Sequence, residues 1–281
     1  MARIKTWEVS DEFWAQAEPL IPKFKRIDGK TYQRKPGGGR KPKYSNRIYF
    51  AGIVYVLRNG IIWNALPSEK FEGLSASAAH QKFQEWAEAG FFHTLWEKGL
   101  SVYDELRGIN WEWGAADGIN IEAPLARESA GPNPTDRGKK GTKRKLLTDG
   151  NGVPLAITIG PANRHDSIYL NELMDKRMDL PRKNKGLQEN LCLDAGYVGK
   201  ADVVEKHEMV PHIRPRGEEK KLIEKNPDFI ARRWVVEACH SWFNRFRKLI
   251  PRYEKTDTSY IALCELAAAM IAFNKVITIC G

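Results

Sequence analysis

Apolar residues recur at helical spacing up to about residue 110 and at strand-like spacing beyond it. The stretch "SDEFWAQAEPLI" predicts a helix capped by Ser10, and "YSNRIYFAGIVYVLRNG" a second that stops at Asn59-Gly60. A third, "SASAAHQKFQEWAEAG", starts after Ser75 and ends at Gly90, with Ala79, Phe83 and Trp86 as its core stripe. Ser77, Gln81 and Gln84 share another face of it. That face is either solvated or a set of side chains able to read base edges in a major groove. Short helices joined by tight turns suit a helix-turn-helix module.

After residue 111 the period shortens. "NWEWGAADGINIEA" alternates loosely, and "KRKLLTDGNGVPLAITIGP" reads as two strands joined by a "DGNG" hairpin turn. A helix over "DSIYLNELMDKRM" capped by Asp166 follows. Then come a strand at "LCLD", a short helix "ADVVEKHE", a strand around "VPHIRP", and a helix from about Phe229 to Lys248. The most hydrophobic segment, "YIALCELAAAMIAFNKVITIC", is interrupted by Glu265, Asn274 and Lys275, so it reads as a buried C-terminal helix rather than a membrane span. The pattern predicts an α/β fold: a helical domain over 1–110, then a catalytic-type domain over 111–281 built on a sheet of mixed direction.

Composition narrows the chemistry. With 42% hydrophobic content in 281 residues the chain can bury a full core. Its start, "MARIKTWEVSDEFW", lacks the features of a signal peptide, which makes the cytoplasm the expected location. Cys192, Cys239, Cys264 and Cys280 form no CxxC pair, and the six histidines show no metal-ligand spacing. A metal would therefore be held by oxygen.

The net charge of +10 is concentrated rather than spread, because residues 23–47 hold ten Lys or Arg against one Asp. Arg34, Lys35, Arg40, Lys41 and Lys43 flank the glycines Gly37, Gly38 and Gly39 in that run. A solvated loop has such a composition, and so has a basic arm that follows a polyanion. The adjoining polar helix face favours the arm, with nucleic acid as the polyanion.

Three acids then call for explanation. Asp194 ends the apolar "LCL" run and is followed by Gly196 and Gly199; Asp117 sits among small residues in "GAADGIN"; Glu237 lies at the edge of the Val236, Cys239, Phe243 and Phe246 stripe, in line with Arg233, His240, Asn244 and Lys248. Singly, each has an ordinary reading as a turn former or a salt-bridge partner. Together, on adjacent strands and a packed helix, three carboxylates repel unless a divalent cation neutralises them. Magnesium suits them, and two ions about 4 Å apart support in-line phosphoryl transfer.

At this point the sequence resembles a known family. "GGGRKPKYSNRIYFAGIVYVLRNGIIWNALP", "HQKFQEWAEAGFF", "DGNGVPLAITIGPANRHD", "LDAGYVG" and "RRWVVEACHSWFNRFRKLIPRYEK" are together similar to a bacterial insertion-sequence transposase of the IS5 kind, within the IS4-like DDE group. The resemblance spans nearly the whole chain. It implies a ribonuclease-H-like catalytic domain, a DDE triad of Asp117, Asp194 and Glu237, and Mg2+, replaceable by Mn2+. The implied reaction is phosphodiester hydrolysis at element ends, followed by transfer of the freed 3'-hydroxyl into target DNA. The implied partners are terminal inverted repeats, target DNA within the nucleoid, and at least one further copy of the chain.

One departure stands out. The wider group has Tyr-x2-Arg-x3-Glu-x6-Lys around the glutamate; here Arg233 and Glu237 match, but Ile230 and Asn244 replace the Tyr and the Lys. Arg245 or Lys248 is expected to supply the missing cation, and Arg233 to hold a DNA phosphate. Only 42 residues separate Asp194 from Glu237, too few for a large inserted domain. Two other classes stay open: a DNA-binding regulator that keeps the fold without the chemistry, and a ribonuclease-H-like nuclease without strand transfer.

Overall fold

A computed structural model describes residues 8–23, 31, 42–181, 186–213 and 232–280. The helical region comprises α1 (Asp11–Ala17), α2 (Asn46–Asn59), α3 (Ala76–Glu88) and α4 (Phe91–Leu106). Serines start three of them. The hydroxyls of Ser10, Ser45 and Ser75 accept the N–H groups of Phe13, Ile48 and Ala78, which satisfies donors that the first helical turn leaves open. Helix α2 ends on Gly60 at φ +70°, where an added Cβ would also come within 2.7 Å of the Arg247 side chain. Only glycine fits both demands.

The sheet is built from β1 (Trp113–Glu122), β2 (Gly131–Pro132), β3 (Lys140–Asp149), β4 (Pro154–Pro161), β5 (Glu189–Leu193) and β6 (Met209–Ile213). Its order is β2-β3-β1-β5-β6, with β4 also paired to β3. Strands β1, β3 and β4 form an antiparallel meander, while β5 and β6 run parallel to β1. This is the sheet of mixed direction that the alternation of elements predicted. The "DGNG" hairpin joining β3 to β4 is held by the buried Asp149 carboxylate, which accepts from the N–H groups of Asn110, Asn151 and Val153.

Among the described residues four further helices follow: α5 (Leu170–Asp175), α6 (Ala201–Glu205), α7 (Trp234–Asn244) and α8 (Asp257–Cys280). Two expectations need correction here. Asp166 does not cap a helix. A 3-10 turn over Asp166–Tyr169 precedes α5, the His165 ring accepts from the Ser167 N–H, and Asp166 is ion-paired with Lys143 at 2.8 Å. Nor does α7 reach residue 248: it stops at Asn244 and a separate 3-10 turn, Arg247–Leu249, follows.

The boundary drawn at residue 110 falls between α4 and β1, yet packing does not divide there. Gly99 of α4 brings that helix close to Ala269 and Ala272 of α8, and the rings of Phe13 and Phe273 lie 4.8 Å apart. One apolar core runs from Phe13 and Phe50 through Trp96 and Leu263 to Ala116 and Leu146. The helical region and the sheet thus fold around the same helix. That helix is long and apolar enough to cross a membrane by composition alone, contrary to the sequence reading, but 72% of its apolar window is buried within the protein.

Candidate active site

Strand β1 runs through the middle of the sheet, and Asp117 sits at its centre behind the fully buried Ala115 and Ala116. In the parallel pairing with β5, Ala115 lies opposite Cys192, so the same register brings Asp117 level with Asp194. Both readings of Asp194 hold at once. Its Oδ1 accepts from the Gly196 N–H at 2.9 Å and starts the 3-10 turn Ala195–Tyr197, while its Oδ2 faces the Arg233 guanidinium at 4.0 Å.

Helix α7 covers this point. Val236, Cys239, His240 and Phe243 bury its inner face, which leaves Glu237 at the edge with its side chain 59% exposed. Arg233, one turn earlier, lies 3.6 Å from Glu237 through its other terminal nitrogen. One guanidinium therefore stands between the second aspartate and the glutamate.

The first aspartate is the most perturbed of the three. Burial, above all, pushes the Asp117 carboxyl up to about 6; the Gly118 N–H, donating to its Oδ1 at 2.8 Å, and the Arg233 charge pull the other way, and the neighbouring Asp194 and Asp166 raise it further. In chelator, the folded state therefore binds a proton at Asp117 that the unfolded chain releases near pH 4. The sign follows from proton linkage. Stability falls as pH rises from about 4 to 6 and stays lowered above that, because ionising Asp117 is harder in the folded chain. Asp117→Asn should raise the melting temperature at pH 8 in chelator, by an amount worth on the order of 2 kcal/mol, with the gain gone by pH 4. An equal offset at both pH values, measured by thermal melts, would refute this account of the carboxyl.

Asp166 is the site residue that sequence reasoning missed. Its Oδ2 takes the Lys143 ammonium, while its Oδ1 is buried with no hydrogen-bond partner among the described residues. It reaches this place across Gly118, where any Cβ would collide with Asp166 Oδ1. Tyr197, with a buried and unpartnered hydroxyl, is pushed upward mainly by burial and then by Asp166, Asp117 and Asp194. Three aspartates thus share one electrostatic neighbourhood, to which Glu237 is linked through Arg233. The signal in the sequence was the glycine directly after Asp117, together with Lys143 and Lys145 in a strand buried almost throughout.

The proposed DNA-contacting residues fall in different places. Arg34, Lys35, Arg40 and Lys41 lie outside the described residues. Lys43 is exposed, its ammonium 4.9 Å from the Tyr44 ring centroid. On α3, Ser77 and Gln81 are exposed, with Gln81 bonded to Glu85, but Gln84 is turned inward and exchanges hydrogen bonds with Ser259 of α8. Arg245 is exposed. Lys248 is not: it is 3% exposed and paired with Glu254 at 3.5 Å, because the break after Asn244 turns it into the protein. Of the two cations expected to stand in for Asn244, only Arg245 faces outward.

Among the described residues no group of three or more His, Cys, Asp and Glu side chains has ion-holding geometry as it stands, since Arg233 lies between Asp194 and Glu237. The donor chemistry nevertheless fits a hard divalent cation. Asp194 and Glu237 share a single guanidinium, and Asp117, raised by burial first and then by Asp194 and Asp166, adds a third oxygen donor beside them.

Comparison with known proteins adds to this geometry. A family model for a transposase of the IS4/5 family matches residues 9–96, and the transposase DDE domain model matches residues 113–272. The IS402 insertion-sequence transposase of Burkholderia cepacia is 33% identical over 159 residues, which cover 53% of this chain and 70% of that protein. An uncharacterized 16.2 kDa protein of the same insertion element is 32% identical over 126 residues, 45% of this chain and 80% of that protein. Among solved structures, the catalytic domain of the Mos1 mariner transposase aligns at a TM-score of 0.29 and 12% identity, covering 65% of this chain and 90% of that one.

Proposed function

This chain belongs to the IS4/5 family of transposases with a DDE catalytic domain, and from that premise we propose that it is an IS5-type enzyme mobilising its own element. As a member of that family it cleaves DNA and transfers strands. In this reading Asp117, Asp194 and Glu237 are the metal ligands, and the two steps are hydrolysis at the element ends and attack of the freed 3'-hydroxyl on target DNA. The observation that carries it is the shared neighbourhood of the three acids: two level on adjacent parallel strands, and the third joined to them through Arg233.

Asp117, Asp194 and Glu237 would hold the magnesium, which when bound would supply activation of the attacking oxygen and neutralisation of the leaving one. The protein's own groups do the rest. The β-strands fix Asp117 and Asp194 as a rigid pair, and α7 brings Glu237 to their open side. Asp166, held by Lys143, keeps a further negative charge behind Asp117, which strengthens the site's demand for cations. The basic segment before α2 supplies backbone contacts, and the exposed face of α3 carrying Ser77 and Gln81 supplies sequence contacts. Joining two ends calls for two copies of the chain on terminal DNA.

An electrophoretic assay with the inverted repeats flanking the element, with and without magnesium, tests binding and chemistry together. The expected result is a retarded complex in either condition and nicked or joined product only with metal. A complex that never yields product in magnesium or manganese would favour a regulator, and nicking without joining a nuclease.

Arg233 has a separable test. Its contacts with Asp194 and Glu237 are long and solvent-accessible, with Glu237 59% exposed, so they contribute at most about 1 kcal/mol to folding. We assign its guanidinium to a DNA phosphate, which it can grip bidentately. Arg233→Ala should leave the melting temperature within a few degrees, weaken the DNA complex by roughly tenfold, and slow cleavage. Intact binding with slowed cleavage would instead assign Arg233 to orienting Glu237.

A further inference from the structure

The ends of α2 and α7 meet the C-terminal half of α8 around a cavity of about 260 Å³ lined by Arg58, Trp242, Arg245, Phe246 and Lys275, with no carboxylate in its wall. The contacts are specific. The Arg58 guanidinium lies 3.9 Å from the Phe246 ring centroid and the Lys275 ammonium 4.1 Å from that of Trp242. Arg58 Nε is buried and has no hydrogen-bond partner among the described residues. This placement follows from the close approach of Gly60 to Arg247, which brings the end of α2 against the chain just after α7.

Arg58 and Arg245 repel each other at this cavity, with Lys275 also in its wall, and an anion seated between them relieves that cost. Arg58 registers it: burial first, and the Arg245 charge second, lower its guanidinium to about 10, with no acid offsetting them. Lys275 is lowered by burial too, although there the buried Asp149 compensates in part. Aromatic faces beside cations add a surface on which a base or sugar can rest.

We propose that this cavity binds one backbone phosphate of the DNA end, with Arg58, Arg245 and Lys275 on its oxygens and Trp242 against the adjoining sugar or base. The inference rests on the DNA-transfer reading and adds a register to it. Arg245, the residue that caps the end of α7, follows Glu237 by eight residues, about 12 Å along the helix axis. Successive phosphates of a strand are farther apart than the axial rise of about 3.4 Å per nucleotide, so a separation of this size places the bound phosphate within a few nucleotides of the scissile one. A free inorganic phosphate has the same oxygens, and the test separates the two sources.

The experiment uses the full chain carrying Glu237→Gln, so that nothing is cut, and terminal duplexes that each bear one uncharged methylphosphonate linkage. One linkage within a few nucleotides of the cut should weaken binding by roughly tenfold, and its neighbours should not. The doubly substituted Arg245→Gln, Lys275→Gln chain should bind unmodified DNA more weakly by a similar factor and ignore that linkage. Its slope of log affinity against log salt should be shallower by about 0.9, one phosphate contact fewer. Arg58→Lys, which keeps the charge but not the fork, serves as an independent variant. The proposal is overturned if the linkage profiles of the parent and the substituted chains coincide. It is equally overturned if millimolar inorganic phosphate quenches Trp242 fluorescence while no single linkage matters, since the cavity then takes the free ion only. Failure of the unsubstituted chain to cleave in magnesium would count against the transposase reading and leave the linkage profile unaffected.

Discussion

Asp117→Asn, Asp194→Asn and Glu237→Gln each reduce magnesium-dependent cleavage and joining by at least about a thousandfold, while terminal DNA is still bound. The substitutions keep side-chain shape and remove one negative charge from a group of carboxylates that works only as a unit. In metal-free buffer, DNA affinity holds or rises, because one fewer carboxylate faces the scissile phosphate. The losses do not add: once one ligand is gone the ions are held too poorly for a second removal to matter. Kinetics on single and double variants test this, and near-parental strand transfer by any one of the three would remove that residue from the triad. Salt-bridge residues without a metal role would instead show themselves as lower melting temperatures with cleavage retained.

Removing residues 1–110 destroys the fold rather than yielding a catalytic domain without its DNA-binding part. Leu95, Trp96, Leu100 and Tyr103 of α4 are buried in the core they share with α8, as is Phe13 of α1. At roughly 1.5–3 kcal/mol for each large side chain exposed, these five alone match the 5–15 kcal/mol by which an ordinary protein is stable. Chain 111–281 should show no cooperative thermal transition and should be recovered as aggregate. A sharp melt would mean that the two regions are separate domains after all. Changing Arg34, Lys35, Arg40 and Lys41 to Gln tests the basic segment without touching the core, and should flatten the salt dependence of DNA binding while the melting temperature holds.

Helix starts and the hairpin turn are legible in the sequence because their causes are local. Ser10 and Ser75 stand before helices for the capping reason given by their chemistry, and "DGNG" makes its hairpin because Asp149 can accept from the turn. The meeting of Asp117 and Asp194 was legible only as a possibility. Alternation says which residues form strands, whereas the parallel pairing of β1 with β5 that sets them level is decided by the whole sheet.

What stayed hidden depends on long-range packing. Asp166 reads as a helix cap until Gly118, 48 positions earlier, is seen to make room for it beneath the site. Lys248 reads as an outward cation if α7 is continued by periodicity, but the break after Asn244 rotates it toward Glu254. Gln84 shares a helical face with Ser77 and Gln81, yet Ser259 of α8 draws it inward. The boundary at residue 110 was drawn from the change of period, and the period does not reveal that α8, the last helix of the chain, completes the core of the first four.

The central claim is that Asp117, Asp194 and Glu237 surround one divalent-metal site, and it can be read without following catalysis. Iron(II) bound in place of magnesium, with ascorbate and peroxide, generates hydroxyl radicals that cut the polypeptide within a few ångströms of the ion. The account predicts cuts clustered near residues 117, 194 and 237 in the full chain on terminal DNA, all suppressed by excess magnesium and all lost in Asp194→Asn. Cuts at only one of these segments, or cuts elsewhere that magnesium displaces, would contradict it.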